Sequence, residues 1–390
     1  MDVEDQGFMR QALEAAELGH GRVSPNPPVG CVLVRDGEVI ATGWHDRLGD
    51  LHAEQAAIAD AEERGVATEG CTAYVTLEPC NHHGRTPPCT QALLWAGVAE
   101  VIIATRDPNP TVRGMGVEAL EEAGVPVRVG CLEEEAMRQM QAFMRWCEQR
   151  RPIVTLKVAM DANGIIDAAE GLPSRFTSDD SLDLAHRLRR MSDAILVGVN
   201  TVVRDDPSLT VRRVPLDGAS QPLRVVLDSN LRTVNSTAQS GRPESPDQPG
   251  GDGTSSSLEA DSVPAVLNDA APTLLVHSGE AEGDRLVSLP AGPSGIDLSA
   301  LLDLLGDRGV QEVLVEGGGS VWRSFLDAGL ADRAILIRAP IELGAGPSAG
   351  IDARSLTASG LRLDRTFESG DDSVEAWSRP GLGWPSDAWF

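Results

Sequence analysis

One stretch decides the fold of the first half of this chain: Thr76-Leu77-Glu78-Pro79-Cys80-Asn81-His82-His83-Gly84-Arg85-Thr86-Pro87-Pro88-Cys89. The apolar run at 73–77 leads into it and predicts a buried strand, while residues 90–96 after it predict a helix that ends before Gly97. The first cysteine therefore follows a strand, and the second lies at a helix start, where the helix dipole stabilises a thiolate.

Strand and helix alternate on both sides of this stretch. Helices are predicted at 5–18, 52–64 and 133–151, and strands at 29–34, 38–43 and 100–104. Such alternation is typical of a layered α/β domain. Because Pro152 ends the last of these helices, we predict a first domain at residues 1–150.

A second α/β series follows and predicts another domain at residues 151–380. Its strands are predicted at 153–158, 194–199, 223–227, 273–276, 313–315 and 334–337, and its helices at 180–190, 298–305 and 321–328. Between Asn235 and Val263 the chain consists mainly of Ser, Gly, Pro, Asp and Glu, with almost no apolar residue. Because such a segment cannot bury enough surface to order itself, we predict a disordered insertion at about 236–262.

A metal site is predicted from His52, Cys80 and Cys89. One imidazole and two thiolates leave the fourth position of a tetrahedral zinc ion open for water, which is the mark of catalytic zinc. Bound zinc lowers the pKa of that water to about 7. Glu54 lies two residues from a ligand, and we predict that it takes the proton and delivers it to the leaving amine. The alternative is a closed zinc knuckle with His82 or His83 as the fourth ligand, which leaves Glu54 without a role.

The spacing of the two cysteines distinguishes this site from related ones. His-x-Glu followed by Pro-Cys-x-x-Cys is the signature of zinc deaminases, but here eight residues separate Cys80 from Cys89. The long loop carries two histidines and Arg85 on an acidic chain. We interpret it as a small anion pocket, which disfavours a nucleic-acid deaminase.

Composition excludes further classes of function. The chain carries 59 acidic and 33 basic side chains, a formal net charge of −26, which repels nucleic-acid backbones. No membrane span is expected because no run of about 18 apolar residues occurs. Residues 1–10 do not resemble a secretory signal, so we expect a cytoplasmic protein. The six cysteines should then be reduced, and four of them are expected to be buried: Cys31, Cys71, Cys131 and Cys147.

The 76–89 stretch closely resembles the deaminase half of the bifunctional diaminohydroxyphosphoribosylaminopyrimidine deaminase / 5-amino-6-(5-phosphoribosylamino)uracil reductase family. Supporting matches are Pro25-Asn26-Pro27, Gly43-Trp44-His45 and Asp107-Pro108-Asn109-Pro110. The resemblance implies a cytidine-deaminase-like three-layer αβα domain followed by a dihydrofolate-reductase-like α/β domain. It also implies substrate contacts from Asn26, His45 and Arg85, with His82 as a weaker candidate. For His45 the alternative is a histidine that only satisfies structural hydrogen bonds.

The resemblance extends over residues 153–377, where a glycine turn follows the strand predicted at 313–315. Bare backbone N–H groups at such a turn suit a diphosphate. Residue matching implies NADPH contacts from Thr201, Asp205, Ser229, Gly318, Gly319, Ser320, Val321, Trp322, Arg323 and Ser324. It implies substrate contacts from Arg189, Leu209, Arg212 and Glu316, and the two arginines suit a phosphate monoester. For Arg189 the alternative is a solvated helix face.

The activity that the resemblance implies has two successive steps in riboflavin synthesis. Zinc hydroxide replaces the 2-amino group of 2,5-diamino-6-(5-phosphoribosylamino)pyrimidin-4-one with oxygen, and NADPH then reduces the ribosyl group to ribityl. We expect one Zn²⁺ per chain, NADPH, this small phosphorylated pyrimidine as the substrate, and a homo-oligomer, either a dimer or a tetramer. Asn163 and Arg175 depart from the family's usual residues at the reductase pocket. The alternative is therefore a deaminase whose second domain binds but no longer reduces.

Lys157 is the only lysine in the chain. Arginine could replace a surface ammonium at little cost, but the two cations differ in shape at a crowded site. Lys157 lies in the strand predicted at 153–158, just before the turn Asp161-Ala162-Asn163-Gly164 that matches the reductase pocket. We predict that it binds substrate. The alternative is a lysine that extends from a strand end into solvent.

Overall fold

The first half of the chain folds around a five-stranded sheet. The computed structural model describes residues 1–82, 87–109, 115–168, 175–233, 264–293 and 295–390. The strands are β1 (Gly30–Arg35), β2 (Glu38–Trp44), β3 (Thr72–Leu77), β4 (Glu100–Thr105) and β5 (Val127–Val129), in the spatial order β2-β1-β3-β4-β5. β1 is antiparallel to both of its neighbours, whereas β3, β4 and β5 run parallel.

Helices cover both faces of this sheet because alternate residues of each strand face opposite sides. The helices are α1 (Val3–Glu17), α2 (Ala53–Glu63), α3 (Cys89–Trp95), α4 (Met115–Glu122), α5 (Glu133–Gln139) and α6 (Gln141–Gln149). Leu33 and Ile103 pack in one buried cluster with α2, α3 and α4. Val32 and Ile102 pack in another with α1, α5 and α6. The predicted three-layer αβα arrangement is confirmed.

The second half is built on a nine-stranded sheet with the order β10-β9-β8-β7-β13-β6-β14-β16-β15. Its strands are β6 (Ile153–Met160), β7 (Ala194–Gly198), β8 (Leu223–Leu227), β9 (Thr273–His277), β10 (Leu286–Ser288), β13 (Glu312–Val315), β14 (Arg333–Arg338), β15 (Arg362–Ser369) and β16 (Asp372–Ser378). Only β16 runs against its neighbours in this sheet. Two short strands, β11 (Ala291–Gly292) and β12 (Gly295–Ile296), form a separate pair.

Helices also pack on both faces of the second sheet, which confirms the predicted α/β class. They are α7 (Asp179–Arg190), α8 (Val199–Asp205), α9 (Leu298–Asp307), α10 (Gly319–Asp327) and α11 (Ala353–Ala358). The largest buried cluster joins β6 and β13 to α9 and α10, while α7 packs on the opposite face. The central parallel strands read as apolar runs because both of their faces are buried.

The single helix predicted at 133–151 is wrong, because two helices meet at Met140, whose backbone leaves the helical region (φ −103°, ψ 23°). The reason is tertiary. Gln139 is buried, its side chain donates to the Leu13 carbonyl oxygen (2.8 Å), and its own carbonyl oxygen lies 3.1 Å from Nε2 of His20. These contacts with α1 and with His20 beyond its end hold the chain at a point where local propensity favours one continuous helix.

Several elements were not predicted, including α4, α8, β5, the strand β16 and the edge strand β15. The C-terminal segment, for which no role was predicted, packs Trp384 and Trp389 around the fully buried guanidinium of Arg333. It therefore forms part of the second core. Cys147 is half-buried, whereas burial was expected, and the other three cysteines of that set are buried.

The predicted insertion at 236–262 lies outside the described residues. Among the helices that are described, none combines the length and the apolar character that crossing a membrane requires.

Candidate active sites

The predicted metal ligands meet beyond the carboxyl end of β3 in the first sheet. His52 precedes α2, Cys80 follows β3, and Cys89 begins α3. Nδ1 of His52 lies 3.6 Å from Sγ of Cys80 and 3.3 Å from Sγ of Cys89, and all three ligand atoms lie within 4.8 Å of one another. One imidazole and two thiolates at this spacing fit a tetrahedral zinc ion that keeps one open position.

The closed-knuckle alternative gains no support from the described residues. Within them the metal-binding group contains no fourth His, Cys, Asp or Glu, and His82 is exposed and outside the group. His83 and Arg85 lie outside the part of the chain that the structure describes. The hydrogen bonds of Cys89 and His52 to Cys80 stabilise its thiolate and lower the pKa of the thiol, which prepares it to bind a cation.

Glu54 is placed for proton transfer. It lies in the first turn of α2, only 3% exposed, and is not part of the three-ligand group. Burial raises the pKa of its carboxyl to about 7, and the negative charge of Cys80 adds to the rise. A carboxyl group that titrates near neutral pH can accept a proton from water and release it to a leaving group.

Asn26 and His45 form a pair beside the metal ligands. Nδ2 of Asn26 lies 3.1 Å from Nε2 of His45, and Nδ1 of His45 lies 2.9 Å from the Leu51 carbonyl oxygen. The carbonyl oxygen can only accept, so Nδ1 carries the proton and Nε2 accepts from Asn26. Burial lowers the pKa of His45, which favours this neutral ring. The rings of His45 and His52 have centroids 5.3 Å apart, so the structure brings both predicted substrate residues to the metal site.

One residue that sequence reasoning missed shapes this region. Glu78 is buried, and its carboxylate accepts hydrogen bonds from the backbone N–H groups of Asp107, Gly116 and Val117 at 3.1–3.3 Å. It therefore fixes the start of α4 against the strand end that carries Cys80. The sequence places Glu78 directly after a buried strand. Because a buried carboxylate needs hydrogen-bond partners, this position indicates a structural role for Glu78.

A second pocket opens at the carboxyl ends of β7, β8 and β13. Its lining consists of Gly198, Val199, Asn200, Thr201, Leu227, Asp228, Ser229, Asn230, Arg232, Ile296, Leu298, Gly318, Ser320, Val321 and Ser324. This edge is where ligands bind in open α/β sheets. Gly317 is required beside it, because a Cβ atom there would lie 2.6 Å from Cα of Val197. The turn can therefore bring its backbone N–H groups and the start of α10 close to a diphosphate.

Six of the ten predicted cofactor residues line this pocket: Thr201, Ser229, Gly318, Ser320, Val321 and Ser324. The other four do not. Asp205 ends α8 and is exposed, and Gly319 begins α10. Trp322 is buried and donates through Nε1 to the Val315 carbonyl oxygen (3.1 Å), while Nε of Arg323 donates to the Gly319 carbonyl oxygen (3.1 Å).

A buried ion pair stands near this pocket. Nε and Nη2 of Arg189 donate to the two carboxylate oxygens of Glu316 at 2.5 and 2.8 Å, and Nη1 donates to the Thr210 carbonyl oxygen at 3.1 Å. Arg189 is therefore not on a solvated helix face. Burial alone would raise the pKa of Glu316, but the Arg189 charge and hydrogen bonds hold it at about 2.

His186 is a further member of this cluster that was not predicted. It is buried, and its Nδ1 accepts the backbone N–H of Arg212 at 3.1 Å. Burial and the positive charges of Arg189 and Arg212 lower the pKa of His186 to about 4, so its ring is neutral near pH 7. Arg212 is exposed, and Leu209 is buried in a hydrophobic cluster with Val202 and Val226.

Lys157 faces the same cluster. It is half-buried on β6. Burial lowers the pKa of its ammonium group. The negative charge of Glu316 raises this pKa, and the positive charge of Arg189 lowers it further. Its side chain makes no hydrogen bond or salt bridge with any residue that the structure describes. The ammonium group is therefore available to a ligand.

We expect Lys157→Arg to lower kcat/KM for the NADPH-dependent reaction about 10-fold, about 1.4 kcal/mol, with the metal-dependent reaction unchanged. A guanidinium is larger and planar, so we expect it to disturb the Arg189–Glu316 pair whose charges act on Lys157. Steady-state rates of NADPH oxidation measure the effect. Arg354→Lys, the reverse exchange at an exposed position, is the control. Unchanged oxidation in Lys157→Arg would contradict a role in binding.

Comparison with known proteins finds a family match for each half of the chain. The model of the cytidine and deoxycytidylate deaminase zinc-binding region matches residues 2–105, and that of the RibD C-terminal domain matches residues 152–374. The riboflavin biosynthesis protein RibD of Aquifex aeolicus is 38% identical over 386 residues, which cover 96% of this chain and 98% of that protein. RibD of Escherichia coli K12 is 37% identical over 369 residues, covering 91% of each chain.

Two solved structures are similar over almost the whole chain. The deaminase/reductase of Thermotoga maritima is 33% identical, with a TM-score of 0.79, and the match covers 96% of this chain and 99% of that one. RibD of Acinetobacter baumannii is 32% identical, with a TM-score of 0.78, and the match covers 96% and 98%. The fold and its two sites thus define a two-domain enzyme with a zinc-type deaminase domain and a reductase domain. The chain belongs to the RibD family of riboflavin biosynthesis proteins.

Proposed function

We propose that this chain catalyses two successive steps of riboflavin biosynthesis. The first deaminates 2,5-diamino-6-(5-phosphoribosylamino)pyrimidin-4-one, and the second reduces the ribosyl group to ribityl with NADPH. One observation carries the proposal: a three-ligand site beside buried Glu54 and a glycine-turn pocket near the Arg189–Glu316 pair occur in one chain. The Thermotoga maritima relative is named for the same two activities.

In the deamination, the C2–N bond of the pyrimidine breaks, ammonia leaves, and an oxygen atom from water takes its place. A zinc ion held by His52, Cys80 and Cys89 would act as a Lewis acid and acidify this water. Glu54 accepts the water proton and returns it to the departing amine. Asn26 and His45 are assigned to the pyrimidine ring, and His82 and Arg85 of the loop between the cysteines to the phosphate.

In the reduction the ribosyl ring opens at C1, and NADPH held in the glycine-turn pocket would supply the hydride. The hydroxyl groups of Thr201, Ser229, Ser320 and Ser324 and the start of α10 are assigned to the cofactor. Residue matching also assigns Asp205, Gly319, Trp322 and Arg323 to this group. Residue matching assigns Arg189, Leu209, Arg212 and Glu316 to the substrate, and we assign Lys157 to its ribosyl hydroxyls. Glu316 also orients Arg189 through their two hydrogen bonds. Because no side chain of this cluster is an obvious acid, catalysis rests on alignment.

The deaminase-only alternative has no observation in its favour. Asn163 and Arg175, the departures that motivated it, are both exposed. Asp161 of the same turn is buried and accepts the backbone N–H groups of Asn163, Ile165 and Leu343, all at 2.8 Å. Its carboxylate therefore stabilises the turn that carries Asn163.

Further details belong to the same proposal. We infer one zinc ion per chain, a small phosphorylated pyrimidine as the substrate of the first site, a homo-oligomeric enzyme and a cytoplasmic location. The domain boundary is proposed at residues 150–151, between α6 and β6.

We expect removal of zinc with a chelator to abolish ammonia release and to leave reduction of the supplied deaminated intermediate unchanged. The metal ligands lie on the first sheet, while the NADPH pocket lies on the second. Ammonia and NADPH are measured in parallel, and chelator saturated with zinc is the control. Deamination that survives complete metal removal would sink the assignment of the first site.

A further inference from the structure

A turn of the reductase half contacts the substrate loop of the deaminase half. Gln311, immediately before β13, is buried, and its Nε2 donates to the Pro25 carbonyl oxygen at 2.7 Å. Beside it, Oγ of Ser24 donates to the Gly309 carbonyl oxygen at 3.5 Å. The approach is close, because a Cβ atom on Gly309 (φ +83°) would lie 3.3 Å from Cβ of Pro25.

The accepting carbonyl group is covalently joined to the deaminase site. Pro25 is followed by Asn26, whose side chain holds the His45 ring beside the metal ligand His52. The backbone N–H of Asn26 donates to the Val23 carbonyl oxygen at 2.9 Å, which closes a tight turn. The Pro25 carbonyl group and the Asn26 N–H belong to one planar peptide unit. A hydrogen bond to the Pro25 oxygen therefore restricts the direction in which the Asn26 side chain points.

The donor side of this contact is anchored in the second sheet. The backbone N–H of Gln311 donates to a carboxylate oxygen of Asp193 at 2.7 Å, and its carbonyl oxygen accepts the N–H of Ile153 at 2.8 Å. These two hydrogen bonds fix the backbone of Gln311, and therefore the position from which its side-chain amide extends. The strand that begins beside it, β13, ends at Val315, immediately before Glu316 of the reductase site.

We propose that Gln311 is a positioning residue for deamination, supplied by the reductase domain, which orients Asn26 towards the substrate. The inference rests on the proposed function of the first site. Gln311 touches neither substrate nor metal; it acts through the Pro25–Asn26 peptide bond. Asn26 is assigned to binding and not to the proton transfer, so its misplacement should remove uniform binding and raise KM more than it lowers kcat.

The test uses Gln311→Leu in the full-length enzyme, which keeps the side-chain size but removes the donor. We expect KM for the diaminopyrimidine substrate to rise about 10-fold and kcat to change less than about 2-fold. Zinc content and NADPH-dependent reduction of the supplied intermediate should match the native enzyme. Native deamination, measured alongside, tests the proposed function separately from this inference.

A matched control is Gln221→Leu. The Gln221 side chain also bonds only to backbone, accepting from Val211 N–H (2.7 Å) and donating to its carbonyl oxygen (2.9 Å), next to Arg212. This variant should weaken reduction and leave the KM of deamination unchanged. If Gln311→Leu fails to fold, Ser24→Ala removes the second bond of the contact and should raise the same KM about 3-fold. An unchanged KM, or an equal fall of both activities, would overturn the proposal.

Discussion

Glu54→Gln is expected to lower the rate of deamination about 10³-fold while the enzyme keeps its zinc. The amide has the size of the carboxyl group but cannot accept the water proton at the open metal position. Because Glu54 lies outside the three-ligand group, the variant keeps every metal ligand and should still bind zinc. Ammonia release measures the first effect, and metal analysis of the purified variant measures the second.

The control for this experiment is Glu62→Gln, the same exchange at an exposed position of α2, which should behave as the native enzyme. Cys80→Ser and Cys89→Ser should lose both zinc and deamination. All three site variants should still reduce the supplied intermediate, because the second sheet has its own core. Normal turnover in Glu54→Gln would show that the proton follows another route.

Glu316→Gln is expected to abolish reduction and to lower the free energy of unfolding by about 3–5 kcal/mol. The exchange removes the anion that pairs with Arg189 and leaves a guanidinium buried without a counter-charge. Denaturant titration of the native and variant enzymes measures the loss of stability, and NADPH oxidation measures reduction. Glu342→Gln at an exposed loop position is the control. A variant as stable and active as the native enzyme would contradict the role assigned to the pair.

The same pair predicts a dependence on pH. The pKa of Glu316 is held at about 2, below its ordinary value of 4.5. A depressed carboxyl pKa contributes stability that is fully present above pH 4.5 and lost as the pH falls towards 2. Glu316→Gln should lack this component, so its stability should fall less steeply than that of the native enzyme between these pH values.

The metal site could be predicted from sequence because its ligands lie in short, recognisable segments. A histidine at a helix start and two cysteines that flank one loop need only a strand and two helices to meet. The α/β class was equally accessible, since the apolar runs and their turns are local signals. The helix break at Met140 was not, because it depends on contacts between Gln139 and α1.

The second pocket was only partly predictable. The glycine turn could be read as a cofactor turn, but Asn200, Asp228 and Arg232 of the lining could not. Each is a polar residue just beyond a strand or at a helix start. They converge only because β7, β8 and β13 are neighbours in the sheet. Gln311 contacts a residue 286 positions away, so no local pattern indicates its role.

The most direct test that this chain carries out both reactions compares the amount of ammonia released with the amount of NADPH oxidised. The native enzyme is incubated with the phosphorylated diaminopyrimidine and excess NADPH, and ammonia release and loss of nicotinamide absorbance are followed to completion. We expect one equivalent of NADPH to be oxidised for each equivalent of ammonia released, because both sites act in turn on the same molecule. Full ammonia release without oxidation of NADPH would contradict it and would leave a deaminase with a non-reducing second domain.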